Sequence, residues 1–154
     1  MSQLIISSHA EFAEYLGQDL GESSPLKISQ EQINQFASAT LDHQWIHCDE
    51  EKAKAGPFGT TIAHGYLTLS VLPHMWGQIL EAKNLKMMVN YGIDSLKFNQ
   101  PVPVGSELIL KAKLMNLTDL RGITKAEVSA RMEIIGNKKP AFTGTLILLY
   151  HFEK

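Results

Sequence analysis

The sequence holds one cysteine, Cys48, among its 154 residues, so no disulfide can form within the chain. Arginine is nearly absent. Only Arg121 and Arg131 occur, and 14 basic against 16 acidic residues leave a formal net charge of -2. Binding to phosphate backbones requires a basic surplus or stripe, so no nucleic-acid partner is expected. The N-terminus lacks the charged and apolar regions of a secretory signal. With the lone thiol, that makes a reducing cytoplasm the expected compartment. Internal repeats, low-complexity segments and separating linkers are also missing. One domain is therefore expected over residues 1–154, with an N-terminal helix and connector in residues 1–28. Charged residues are scarce at 19%, hydrophobic residues make up 44%, and a globular fold is implied rather than a disordered one.

The longest gap in charge is the organising stretch. No Asp, Glu, Lys or Arg lies between Lys54 and Glu81. From Leu67 to Leu80, apolar residues fall on every side of a helical wheel, which predicts a buried central helix. It should start near Ala63-His64-Gly65 and run to about Ala82, with Pro73 bending it near Leu69. A membrane span is disfavoured, because the run carries His64, His74, Gln78, Pro73 and two glycines.

On the N-terminal side, Ser8 and Glu11 predict a short capped helix to Leu16, and a polar connector follows from Gly17 to Pro25. A short strand is expected at Leu26–Ile28. Ser29 to Gln32 forms a capping box, with Ile28 and Ile33 as its hydrophobic staple, and opens a helix to about Ala39. After Ala82 the period changes to that of strands. Met87–Phe98 carries Gly92 as an expected bulge. Leu108–Leu114 and Ile123–Ile135 alternate, the second with Ala126, Val128, Ala130, Met132 and Ile134 on one face. Gly136-Asn137 marks a hairpin, and Ala141–Phe152 is a last strand, apolar on both faces near its end. Helices followed by strands predict an α+β fold in which a curved antiparallel sheet packs around one helix. The two-faced last strand predicts a symmetric dimer.

Two short features can carry chemistry. Asp42 and His47 are five residues apart, an offset of about 140° on a helix, so they converge only if the segment is a loop. Trp45 and Ile46 would anchor that loop. Converging on one water, an Asp and a His make a general acid–base pair; the plainer reading is a capping Asp and a satisfied core His. His43 and His47, with Cys48 or Asp49, offer a generic metal spacing that lacks a second ligand pair. His64 and His74 read as helix-capping and core-packing residues. Gly65 would sit in the first turn of the central helix, where amides have no intrahelical partner. A glycine there lets a ligand carbonyl approach an oxyanion donor.

These residues carry a resemblance. The runs from Phe36 to His47, Ala55 to Gly59 and Ile62 to Leu69, together with Val89-Asn90-Tyr91-Gly92 and Pro101 to Gly105, resemble the MaoC-like dehydratases, closest to their nodulation-protein-N-like branch. The resemblance implies a hot-dog fold, an antiparallel sheet wrapped around a long central helix, as a homodimer. It implies R-specific hydration of trans-2-enoyl-CoA thioesters, or the reverse dehydration, with no metal and no cofactor. Carried over by position, Asp42 and His47 would be catalytic and the Gly65 amide would bind the thioester oxygen. His64, Tyr66, Trp45 and Tyr91 would be substrate-binding neighbours. A hot-dog thioesterase and a non-catalytic acyl-thioester binder are the competing readings.

The chain departs from the pattern in three places. Gln44-Trp45 replaces a common Asn-Pro, a change the nearer branch shares. Pro73 stands where some hydratases hold the aspartate with a helical serine, and Ser70 is the candidate substitute. Leu41 replaces the glycine that usually precedes the aspartate. Leucine is a poor choice for positive φ, so Leu41 is expected at negative φ with its side chain packed, beside Trp45.

Overall fold

The structure, a computed structural model, describes residues 2–154. In chain order its elements are β1 (Leu4–Ile6), α1 (His9–Ala13), β2 (Asp19–Glu22), β3 (Leu26–Lys27), α2 (Gln30–Thr40), α3 (Trp45–Cys48) and α4 (Glu50–Lys54). There follow α5 (Gly65–Ser70), α6 (Leu72–Ile79), β4 (Leu80–Ala82), β5 (Leu85–Phe98), β6 (Glu107–Leu120), β7 (Ile123–Ile134) and β8 (Phe142–Phe152).

Local signals set the N-terminal elements. The Ser8 hydroxyl accepts from the Glu11 amide and the Ser29 hydroxyl from the Gln32 amide, both at 3.1 Å. Ile28 and Ile33 are both fully buried, as a staple requires. The expected polar connector contains β2, which pairs antiparallel with β6 through a register shift. β1 was not expected as a strand at all. It pairs parallel with β4, so a contact distant in sequence defines it rather than its own pattern.

The long strands build one antiparallel sheet in the order β2-β6-β7-β8-β5, with β3 also on β6. Alternation places Leu108, Leu110, Leu114, Val128, Met132, Leu146, Leu148 and Tyr150 on the buried face, against the central helix. The expected Gly92 bulge is present as a register shift between Asn90 and Gly92. Arg121 and Gly122, at φ 55° and 94°, make the two-residue β6–β7 turn, where two positive φ values match strand twist.

The central helix differs from expectation in three ways. It is stepped at Val71 rather than bent at Leu69. Pro73 lies in the first turn of α6, where a missing N–H leaves no bond unmade. It ends at Ile79, and Leu80–Ala82 is strand β4 because β1 offers ladder partners there. Nor is it enclosed all round. Tyr66, Ser70, Pro73, His74 and Gly77 form an exposed stripe, since one sheet covers only one side of a helix. The Trp76 indole donates to the buried Tyr150 hydroxyl at 2.9 Å and fixes α6 to β8. No helix among the described residues is long and apolar enough to cross a membrane.

Candidate active site

α2 ends on Leu41, which is left-handed at φ 68°, ψ 17° and 80% exposed. The expected negative φ and packed side chain are both corrected. A residue in the left-handed region is a usual way to stop a helix, and here it turns the chain sharply enough to deliver Asp42 toward the start of α5. The Asp42 carboxylate accepts from the Gln44 amide at 3.3 Å, closing a side-chain turn that leads into α3.

α3 is a single turn that carries His47 into the interior. Its Nδ1 lies 2.7 Å from the Ile62 carbonyl. A carbonyl only accepts, so Nδ1 carries the proton and Nε2 keeps a free lone pair. Burial is the largest influence on this ring and lowers its pKa. His64 lowers it further, while the Ile62 hydrogen bond and the Asp42 charge pull the other way. The net result is a neutral imidazole at pH 7, the form that can take a proton. Gln30 steadies the backbone, its amide donating to the His47 carbonyl at 2.8 Å while its oxygen accepts from the Thr61 hydroxyl at 2.5 Å.

His64 immediately precedes α5 and is buried, but its side chain caps no helix. Its Nε2 donates to the Asp42 backbone carbonyl at 3.0 Å and lies 4.0 Å from the Asp42 carboxylate. Its ring stacks on His47, with centroids 3.9 Å apart and planes 23° from parallel. Its Nδ1 is buried with no hydrogen-bond partner. His74, expected in the core, is exposed beside Gln78.

Asp42, His47 and His64 thus bring one polar atom each within 4.8 Å of one another, a grouping distinct from the His43/His47 pair with Cys48 or Asp49. Stacked rings send their lone pairs side by side instead of toward one point, and His64 Nε2 is spent on a carbonyl. The arrangement suits proton transfer better than ligation. Burial and the Asp42 charge hold the Cys48 thiol above its ordinary pKa, which suppresses the thiolate a nucleophile would need.

Gly65 opens α5. The first amides paired within that turn are those of Leu67 and Thr68, both to the His64 carbonyl; among the described residues the Gly65 amide has no backbone acceptor. A Cβ on Gly65 would stand 3.1–3.3 Å from the Phe98 ring, so only glycine fits without moving that ring. Two cavities meet there and share His47, Gly65 and Phe98. One, of about 290 Å³, is completed by Asp42, His64 and Tyr66. The other, of about 440 Å³, is lined also by Ile62, Ala63, Thr68, Asn99, Gln100, Pro101 and Ala141.

The remaining candidates divide. Tyr66 lines the smaller cavity, 69% exposed, edge-on to Phe98 at 5.9 Å. Trp45 packs instead on Gly56, with Lys52 over its ring at 4.9 Å, and lines neither cavity. Tyr91 is 67% exposed on β5, seven residues before Phe98, and lines neither cavity. Ser70 donates back to the Tyr66 carbonyl at 2.6 Å and does not hold Asp42. The sequence reading missed Phe98, Thr68 and Gln30. Phe98 and Gln30 reach the site through contacts distant in sequence, whereas Thr68 lies one turn along α5 and donates to the Gly65 carbonyl at 2.6 Å.

A family model described as "MaoC like domain" matches residues 11–136. The 3-hydroxyacyl-thioester dehydratase Z of Mycobacterium tuberculosis is 45% identical over 144 residues, covering 93% of this chain and 95% of that protein. Nodulation protein N of Rhizobium leguminosarum bv. viciae is 37% identical over 152 residues, covering 95% and 92%. Among solved structures, an (R)-hydratase from A. caviae involved in PHA biosynthesis superposes with a TM-score of 0.71 at 26% identity, covering 86% of this chain and 94% of that one. An unliganded R-hydratase from Pseudomonas aeruginosa superposes at 0.76 with 20% identity, covering 96% and 86%. The antiparallel sheet on a central helix is thus the hot-dog fold.

Proposed function

The chain belongs to the MaoC-like dehydratase family, and from that premise we propose that it hydrates trans-2-enoyl-CoA thioesters to (R)-3-hydroxyacyl-CoA, or runs the reverse dehydration. The observation that carries this reading is the convergence of Asp42, His47 and the Gly65 amide on two joined cavities. In it, the Gly65 N–H receives the thioester oxygen at the positive end of α5. That polarises the carbonyl, makes C3 electrophilic and stabilises the enolate-like charge that develops. A water held between Asp42 and the His47 Nε2 adds its oxygen to C3. The pair takes one proton from that water and C2 receives one, so the net change is addition of one water across the double bond. His64 acts through others: it holds the Asp42 backbone by a hydrogen bond and the His47 plane by stacking. The R-specificity is supported by likeness to the (R)-hydratase at 26% identity.

The same reading makes the enzyme a homodimer. Among the described residues β5 ends the sheet with its outer edge unpaired, and Met87, Val89, Tyr91 and Ile93 stand exposed along it. Such an edge is a template for another strand, and a symmetric copy is the commonest occupant. Tyr91 then lies at the interface.

Incubation with crotonyl-CoA tests the reaction. Loss of enoyl absorbance and formation of the (R)-3-hydroxy product are expected. Release of free thiol without hydration would overturn the reading in favour of a thioesterase. Sedimentation as a stable monomer at micromolar concentration would overturn the dimer.

A further inference from the structure

His47, Gly65 and Phe98 are common to both cavities. Two of them have roles in the proposed reaction. The Gly65 amide takes the oxygen on C1 of the thioester, and His47 acts on the water that adds to C3. C2 is the atom between these two carbons. The wall that remains at the junction is the Phe98 ring. It has no group that donates or accepts a proton, so it acts by shape alone.

That ring is held by its neighbours. Phe98 pairs with Phe142 across the β5–β8 ladder. The two rings meet edge to face with centroids 6.0 Å apart, and Phe142 is fully buried. Tyr66 packs edge-on against Phe98 as well, at 5.9 Å. Toward Gly65 the gap is narrow. A methyl-sized group on the Gly65 Cα would stand 3.1–3.3 Å from three carbons of the ring, inside ordinary van der Waals contact. Phe98 is nevertheless 41% exposed, in keeping with a side chain that borders open space.

Resting on the enoyl-CoA reading above, we propose that Phe98 is a specificity-determining residue that faces C2 of the substrate and restricts the enzyme to thioesters unbranched at that carbon. An enoyl group with hydrogen on C2 fits beside the ring. One with a methyl group on C2 meets it. Packed surroundings resist even one added methyl group. The branched substrate then keeps its carbonyl on Gly65 or its C3 at the dyad, but not both, and a misplacement of about 1 Å is enough to cost on the order of 10²-fold in rate.

The test compares crotonyl-CoA with tigloyl-CoA, the same enoyl thioester with a methyl group on C2, in the wild type, Phe98→Leu and Phe98→Ala. Asn99→Ala, at a residue that lines the larger cavity alone, controls for added volume. The wild type is expected to favour crotonyl-CoA in kcat/KM by about 10-fold or more, the scale set by one methyl group in an apolar pocket. Phe98→Ala is expected to lose most of that preference, Phe98→Leu part of it, and Asn99→Ala none. Phe98→Leu keeps an apolar side chain against Phe142 and carries the test should the alanine variant fail to fold. Affinities for butyryl-CoA and 2-methylbutyryl-CoA, which have no double bond to hydrate, are measured by calorimetry and are expected to follow the same order. Equal turnover of both enoyl substrates by the wild type, or an unchanged preference in the Phe98 variants, would overturn the assignment of Phe98 and leave the hydratase reading standing. A wild type that hydrates neither substrate, yet prefers butyryl-CoA through Phe98, would overturn the reaction and leave the wall at C2 standing. Neither hydration nor a binding preference would overturn both.

Discussion

His64 donates to the backbone carbonyl of Asp42 at 3.0 Å while its ring lies 3.9 Å from that of His47, so one buried side chain governs both members of the proposed dyad. His64→Gln keeps a donor for the carbonyl and removes the stacked ring. Because His64 lowers the His47 pKa, the acid limb of the pH–rate profile is expected to move to higher pH in this variant. Turnover at neutral pH should fall roughly 10-fold or more, within the range of lost acid–base catalysis. An unmoved limb would show that His64 only fills space.

In the wild type, burial holds the His47 pKa below its ordinary value near 6.5. Hydration rate is therefore expected to persist below that pH and to fall only as His47 itself takes a proton. Stability follows the same sign. Between the unfolded value and the lower folded one, the unfolded chain binds the proton and the folded chain does not. This residue's contribution is thus full above about pH 6.5 and is lost as pH falls toward the folded pKa, with a slope of at most about 1.4 kcal/mol per pH unit. Denaturant titrations of wild type and His47→Gln across that window measure the difference.

Asp42→Asn keeps an oxygen for the Gln44 amide, and His47→Gln leaves no large void. Each is expected to lose at least about 10²-fold in hydration rate with the fold intact. Near-normal turnover by either would remove the dyad from the mechanism.

Leu41 stands exposed in a left-handed conformation that strains a branched side chain by roughly 1–3 kcal/mol. Glycine removes the strain and adds about 0.5–1 kcal/mol of chain entropy. Leu41→Gly is therefore expected to stabilise by about 1 kcal/mol, roughly 2–4 °C in Tm. A lower melting temperature would mean that the leucine makes contacts that outweigh its backbone.

Gly65→Ala places a methyl group 3.1 Å from the Phe98 ring, at the junction of the two cavities. Hydration rate is expected to fall about tenfold as the ring shifts into the path of the thioester, and Phe98→Leu in the same chain should recover most of the loss. Failure of the second substitution to rescue would locate the defect in the helix terminus itself.

What the sequence made legible was whatever local chemistry controls. Capping serines, strict alternation from Ala126 to Ile134 and the Gly92 bulge all carry their physics within a few neighbours. What it hid depends on distant partners. β1 exists because β4 lies beside it, and Phe98 closes on Gly65 from another element. Leu41 failed for a different reason. Backbone preference argued against positive φ, but the helix stop and the His64 bond to Asp42 define the turn, and the side chain has nothing to hold it back.

The Trp76–Tyr150 hydrogen bond joins residues 74 positions apart, one on the central helix and one on the last strand. During synthesis, the helix leaves the ribosome well before its acceptor is made. Until β8 emerges, the indole N–H has no tyrosine to meet, and the inner face of β7 lies uncovered on that side. Seating of the helix therefore waits for β8, and the loop that carries the proposed dyad is supported only once that strand is in place. A chain broken off within β8 would have its central helix unfastened, a substrate for proteases rather than a weak enzyme.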